Sequence, residues 1–159
     1  MPNMQMDDPE WLSHTSDPIR AMYMFWLSKC RGDAPPRRSD IDPLEIPRAF
    51  LPHITIVEVV PDERRYVYRL VGTHDVEMRG RDPTGKSVIE AFFGPSVEDA
   101  LHCYDTVVAT GRPFYDHLPF DSVDGRFSDD EDLFLPLSED GKTINRIVVF
   151  STVSPTTDK

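Results

Sequence analysis

The sequence has 159 residues, and its 17 Lys or Arg against 28 Asp or Glu give a formal net charge of −11 at pH 7. This length predicts one domain. The negative charge argues against binding to DNA or to anionic membranes, because both would repel the chain. Since 39% of the residues are hydrophobic, the chain is too apolar for a disordered acidic tail, and we expect a folded acidic domain.

The N-terminus and the cysteines bear on the cellular compartment. Residues 1–15 are polar and rich in Met, which is typical of a flexible leader, and they lack the basic and apolar regions of a signal peptide. No apolar run reaches the length of a membrane-spanning helix, about 20 residues. Cys30 and Cys103 are the only cysteines and form no CxxC pair, which favours two reduced, buried thiols. We therefore expect a cytoplasmic protein.

The first predicted element is a helix over residues 16–31. Residues 16–18 supply a capping Ser, an early Asp and a Pro in the first turn, and Gly32 is typical of a helix end. Residues 21–27 read AMYMFWL, a run without a polar face, so this helix should be buried on more than one side. We expect part of it to contact a second copy of the chain in a homodimer, with an interface formed by Met22, Phe25 and Trp26.

The rest of the chain predicts an α+β fold with an antiparallel sheet. Residues 72–93 lack strand alternation and predict short helices and turns. Apolar residues at helical spacing over 97–108 predict a second long helix, which ends at Gly111. Runs rich in β-branched and aromatic residues predict five strands, at 53–60, 65–72, 113–120, 131–137 and 144–153.

Residues 80–87 read GRDPTGKS, which satisfies the phosphate-binding pattern GxxxxGK[ST]. Such a loop connects a buried strand to a helix whose N-terminal amides meet the phosphates. Here the preceding residues are charged and polar, and the following apolar run reaches Gly94 after six residues. We interpret the match as a turn without nucleotide chemistry. Because no triad or paired-carboxylate pattern occurs either, we expect no catalytic residues and no enzyme.

Two further patterns bear on metal binding. The five histidines form no HxxxH or HxH pair, so they predict no metal site. The acidic run at 129–132 reads DDED and attracts divalent cations in principle, but it lacks the central Gly of a calcium loop. We interpret it as a solvated acidic turn.

Arg69 stands inside the otherwise apolar run 67–71. If its face of the strand points inward, the guanidinium needs an anionic partner. An ion pair with Glu58 on the neighbouring strand is the favoured interpretation, and a bound anionic ligand is the alternative.

The predicted order of two strands, a helical lobe, a connecting helix and three strands resembles that of a PAS domain. Residues 68–73 (YRLVGT) and 80–88 (GRDPTGKSV) resemble the core of a PAS subgroup of small, mostly single-domain proteobacterial proteins. Further shared marks are a Trp-bearing first helix, an Arg-rich loop before an Asp-x-Asp-Pro turn, and a Gly-x-Pro step at 111–113. The similarity covers residues 17–153, but the acidic segment 121–132 has no counterpart in the pattern.

The resemblance implies one PAS-like domain over residues 16–153, followed by a tail at 154–159. Its fold would be a five-stranded antiparallel sheet with helices on one face, plus the N-terminal helix at 16–31. Its function would be that of a sensory or regulatory module, which signals through association with an unidentified protein. The sheet and helices would enclose either a small pocket, which holds a small molecule beside the sheet, or only a filled core. The ligand-binding residues would be Tyr68, Arg69, His74 and Tyr104.

The residues give less support to the other functions of PAS domains. The alternative is a receptor for haem or another small ligand, in which His74 or His102 would be the axial ligand of the haem. Light sensing through a flavin is disfavoured, because Cys103 lies on the connecting helix and not in the helical lobe. An enzyme on a related α+β fold ranks last, and no cofactor is indicated by the residues themselves.

Overall fold

The computed structural model of the protein describes residues 8–94, 96–121 and 127–155. Within these stretches five antiparallel strands form one sheet, in the order β2-β1-β5-β4-β3. The strands are β1 Ile54–Val59, β2 Tyr66–Val71, β3 Phe114–Asp121, β4 Phe127–Leu137 and β5 Arg146–Pro155. The predicted α+β class with a five-stranded antiparallel sheet is confirmed.

Four α-helices accompany the sheet in the described part of the chain: α1 Asp17–Lys29, α2 Thr73–Arg79, α3 Val88–Ala91 and α4 Val97–Thr110. Local signals fix the ends of α4. The Ser96 hydroxyl accepts a hydrogen bond from the Asp99 N–H at its start, and Gly111 takes a φ of +67° after its end. None of the described helices combines the length and the apolar character that crossing a membrane requires.

Each face of the sheet carries a hydrophobic cluster. On one face, α1 and the short 3-10 helices before β1 pack Trp26 against strand residues such as Leu133. On the other face, α4 packs Tyr104 against strand residues such as Phe134. Leu133 and Phe134 are consecutive and belong to different clusters, because successive side chains of a strand point to opposite faces. The N-terminal helix therefore lies across the sheet from α4.

The apolar residues of α1 belong mainly to this chain's own core. Met22 is 2% exposed and Trp26 is 1% exposed. The indole N–H of Trp26 also donates a hydrogen bond of 2.9 Å to the Pro136 carbonyl. The prediction that Met22 and Trp26 contact a second copy is therefore wrong, because both are needed on the stripe that faces the sheet. Phe25, the third predicted interface residue, keeps a partly exposed ring.

Parts of the predicted flexible leader and tail belong to ordered elements. Glu10–His14 form a 3-10 helix, and the Trp11 ring lies 5.3 Å from the rings of both Tyr23 and Tyr115. These aromatic contacts pack the stretch before α1 against the core, and β5 extends into the predicted tail as far as Pro155. The remaining leader and tail residues, 1–7 and 156–159, lie outside the described residues, as does the centre of the acidic segment, 122–126.

Candidate functional site

A cavity of about 180 Å³ lies between the sheet and the helices α2 and α4. In liquid water this volume corresponds to about six molecules. Pockets for drug-sized ligands measure about 300–1,000 Å³, so the cavity suits a smaller compound. Its aromatic wall is formed by Tyr68, Phe92, Phe93, Tyr104 and Phe134.

Three of the four predicted ligand-binding residues line this cavity, namely Tyr68, His74 and Tyr104. The fourth, Arg69, does not, because it follows Tyr68 on β2 and its exposed side chain points away from the cavity. Its Nε donates a hydrogen bond of 2.6 Å to the Glu58 carboxylate. The ion pair favoured from the sequence is confirmed, and the assignment of Arg69 to the cavity is corrected.

Tyr104 lines the cavity and carries a hydroxyl group. Its ring stacks on Tyr66 at 4.9 Å between centroids and meets Phe134 edge-on at 5.2 Å. The residue is 5% exposed, yet its hydroxyl forms no hydrogen bond with the part of the chain that the structure describes. Burial raises the pKa of this hydroxyl well above its usual value, so the group stays neutral. It is therefore available as a hydrogen-bond partner for a ligand.

Arg79, at the end of α2, forms part of the opposite wall. Its guanidinium lies 4.7 Å from the centre of the Tyr68 ring and donates to the hydroxyl of the same residue at 3.2 Å. A second hydrogen bond, of 3.0 Å, goes to the Ala91 carbonyl. Sequence reasoning missed Arg79, because a cation in the last turn of a short helix is usually a surface residue.

Five carboxyl groups also line the cavity, and the sequence analysis assigned none of them to a site. They come from α2, α4, β3 and β4: Asp75, Asp99, Asp116, Asp130 and Asp132. Arg79 is the one Lys or Arg among the described lining residues, so the acids are in large excess. The available signal was the spacing of 130 and 132, which places two acids on one face of a strand.

The surroundings of three of these acids, Asp75, Asp116 and Asp132, disfavour their charged forms. Burial raises the pKa of Asp132 from the ordinary 3.8 to about 6, and the charges of Asp130 and Asp116 add to the rise. Burial also raises the pKa of Asp116 and that of Asp75, although Asp75 accepts a hydrogen bond of 2.9 Å from Thr55. Carboxyl groups with raised pKa values in a cavity are typical of functional sites.

The acidic run at 129–132 is part of β4, and the predicted solvated turn is wrong there. The backbone of these residues pairs with β3 on one side and with β5 on the other. Alternation then directs Asp130 and Asp132 to the cavity and Glu131 into the opposite cluster. No group of His, Cys, Asp or Glu in the described stretches is arranged to hold a metal ion.

Residues 80–88 lie along the outer edge of β2. The Gly85 N–H donates to the Tyr68 carbonyl at 2.7 Å, and the Tyr68 N–H donates to the Lys86 carbonyl at 2.9 Å. The segment follows a helix and not a buried strand, and α3 after it has only four residues. Amides that a phosphate-binding loop would offer to its ligand are thus used within the protein, which agrees with the interpretation as a turn.

The residues considered for haem and flavin chemistry are separated. His74 lines the cavity, and its ring lies 4.3 Å from that of His53, whereas His102 is exposed on α4. The cavity volume of about 180 Å³ lies below the range of about 300–1,000 Å³ that is typical for drug-sized ligands, which are smaller than a haem. Cys103 is buried on α4 as expected and also lines the cavity, and burial raises the pKa of its thiol to about 12.

Comparisons with known proteins place this chain in a family. Among the solved structures with similar folds are a LOV protein of Rhodobacter sphaeroides, 14% identical with a TM-score of 0.45, and a sensory box sensor histidine kinase of Vibrio cholerae, 20% identical with a TM-score of 0.45. A variant PAS-B domain of Cycle from Drosophila melanogaster with bound glycerol is 11% identical, with a TM-score of 0.45.

The aligned regions differ in extent. They cover 67% of this chain and 64% of the LOV protein, so the chain spans less than two thirds of that relative. For the histidine kinase the shares are 65% and 82%, and for Cycle they are 64% and 98%. None of the curated protein sequences matches the chain. A family model described as a PAS domain, however, matches residues 14–150, which is most of its length, and the chain therefore belongs to the PAS domain family.

Proposed function

We propose that the chain is a sensory module in signalling, which binds a small molecule in the cavity between the sheet, α2 and α4. The observation that carries the proposal is the cavity itself, which combines aromatic walls with polar groups that face it. Tyr104 supports it most directly, because this residue lines the cavity, its hydroxyl forms no hydrogen bond with the described part of the chain, and a ligand would supply a partner.

Ligand binding would change the protein surface through residues that line the cavity and are also exposed to solvent. Met78 and Phe93 line the cavity, yet they are 48% and 53% exposed. Arg79 connects the end of α2 to β2 and to α3 through its hydrogen bonds to Tyr68 and Ala91. A ligand that contacts this wall would therefore shift the packing of α2 and α3, and we propose that another protein detects this change. Association with a second copy, the cytoplasmic location and the proteobacterial subgroup stay predictions.

Native mass spectrometry of the protein from its own host, followed by a thermal-shift screen of neutral, anionic and cationic compounds, tests this function. A ligand that binds the folded state raises the melting temperature in a concentration-dependent manner. Tyr104→Phe keeps the ring and should weaken such a ligand by about tenfold. Tyr23→Phe removes a hydroxyl from the opposite cluster and serves as the control. If no bound mass appears and no compound class stabilises the protein, the proposal is wrong.

A further inference from the structure

We infer that the cavity takes a small organic cation, an amine or guanidinium compound, and this inference rests on the proposed function and gives it a ligand class. The first support is charge, because five carboxyl groups and one guanidinium line the cavity. The hydrogen bonds of that guanidinium, on Arg79, go to neutral acceptors, the Tyr68 hydroxyl and the Ala91 carbonyl. The ionised acids would repel an anionic ligand and attract a cationic one.

The aromatic wall is the second support. The faces of Tyr and Phe rings attract ammonium and guanidinium groups. Tyr68, Tyr104 and Phe134 bring such rings to the same cavity that holds the acids. The unpartnered hydroxyl of Tyr104, on a side chain that is 5% exposed, adds an acceptor for the N–H of such a ligand. The aromatic rings, the hydroxyl acceptor and the acids together suit a positively charged nitrogen compound with a hydrocarbon chain.

The arrangement of the acids favours an organic cation over a metal ion as the ligand. A metal ion needs several ligand atoms around one point, at about 2.0–2.6 Å. Within the described stretches the side chains of His, Cys, Asp and Glu form no such group. The cavity acids instead come from four elements, so different carboxylates would meet different N–H groups of one molecule. The volume of about 180 Å³ limits that molecule to a short compound.

The acid–base properties of the lining agree with this ligand. Burial raises the pKa of Asp132 to about 6, and a cation beside it would favour the charged form. Binding should therefore strengthen as the pH rises through that value. The other titratable or charged groups that line the cavity are His74, Asp75 and Arg79 of α2, Asp99, Cys103 and Tyr104 of α4, Asp116 of β3, Asp130 of β4 and Tyr68 of β2.

Calorimetric titration with three compounds of similar length tests the inference: 1,4-diaminobutane, the uncharged 1,4-butanediol and the anionic succinate. We expect saturable one-to-one binding of the diamine alone, which weakens by about tenfold or more between about pH 7.5 and about pH 5. Asp132→Asn should weaken it by about tenfold to a hundredfold. Asp33→Asn makes the same charge change at an exposed position outside the cavity and should leave the affinity unchanged.

The other possible results distinguish failure of the cation inference from failure of the proposed function. If butanediol or succinate binds in place of the diamine, the cation inference is wrong and the proposed function stands. If no compound binds and the host protein carries no bound mass, the proposed function fails as well. If Asp33→Asn and Asp132→Asn weaken the affinity for the diamine equally, the diamine binds to general surface charge. If equimolar Mg²⁺ displaces the diamine, the protein recognises charge alone. Either result overturns the inference. Asp116→Asn, with the same expectation, replaces Asp132→Asn if the latter fails to fold.

Discussion

Glu131 and Asp132 are consecutive residues of β4 whose carboxyl groups lie on opposite faces of the sheet. The Glu131 carboxylate accepts hydrogen bonds from the Ser16 N–H at 3.0 Å and from the Tyr115 hydroxyl at 2.6 Å. Although burial raises the pKa of Glu131, these hydrogen bonds outweigh it and hold the pKa below its ordinary value. Asp132 faces the cavity, where burial and nearby carboxylates raise its pKa to about 6. Ionisation of Glu131 should therefore stabilise the folded protein, whereas ionisation of Asp132 should destabilise it.

Replacing Asp132 by Asn should stabilise the protein above about pH 6. A raised pKa means that ionisation of Asp132 destabilises the folded state. This cost is absent at low pH, grows as the pH rises from the ordinary 3.8 to about 6, and is complete above that value. Because Asn has no charge to bury, we expect a free energy of unfolding that is higher at neutral pH by as much as about 3 kcal/mol.

Urea unfolding at about pH 4 and about pH 7 checks this expectation. The difference between the variant and the parent protein should be small at the lower pH and large at the higher one. Asp33→Asn, at an exposed position, should give no comparable gain. An Asp132→Asn variant that is no more stable than the parent at neutral pH would show that the cavity solvates the Asp132 charge well.

Replacing Glu131 by Gln should act in the opposite direction. The Ser16 N–H and the Tyr115 hydroxyl donate to the same carboxylate oxygen, so Gln can keep its carbonyl oxygen in that place. Both hydrogen bonds would lose their charged acceptor, and we expect a loss of about 1–3 kcal/mol at neutral pH. Since the folded pKa of Glu131 lies below the ordinary 4.5, its stabilisation is complete above that pH and is lost as the pH falls through the folded value. Unfolding measured from neutral to strongly acidic pH should show the two proteins converging. Glu63→Gln, at an exposed position, is the control, and a gap that persists at acidic pH would contradict the charge-assisted bonds.

Secondary structure could be predicted where local patterns control it. The predicted strands at 53–60 and 65–72 agree with β1 and β2 within one residue at each end. β4 begins at Phe127, four residues before the predicted start at 131. The acids at 129–132 have low strand propensity, but pairing with β3 and β5 on both sides overrides it.

The candidate site was predictable only in its aromatic part. Tyr68 and Tyr104 lie on the buried faces of a strand and a helix, so periodicity places them toward the core. The cavity acids lie on four separate elements, and an isolated Asp in a sequence usually indicates an exposed residue or a turn. Only the folded arrangement brings them together, which is why the sequence alone suggested Arg69 in place of Asp132.

Trp26 should contribute to the stability of the single chain and not to its association. Trp26→Phe removes the hydrogen bond of 2.9 Å to the Pro136 carbonyl and leaves that buried acceptor without its donor. We expect a loss of about 1–3 kcal/mol in the free energy of unfolding. Met24→Ala, at a residue on the same helix that is 49% exposed, should change it by about 0.5 kcal/mol or less. Unchanged stability together with a smaller sedimentation coefficient would instead support Trp26 as a dimer contact.

Gly72, between β2 and α2, should tolerate no side chain, because a Cβ there would lie 2.2 Å from the carbonyl oxygen of Pro52. That oxygen belongs to the backbone, so relief requires the 3-10 helix Arg48–His53 to move away from α2. We expect Gly72→Ala to lower the free energy of unfolding by about 3 kcal/mol, at the upper end of the cost of overpacking. Gly32→Ala is the control, since its Cβ meets nothing within 4 Å and only its φ of +61° is unfavourable, at a cost of about 1–2 kcal/mol. Urea unfolding of both variants measures the difference. If Gly72→Ala costs no more than Gly32→Ala, the close approach of Pro52 does not explain the glycine of the YRLVGT sequence.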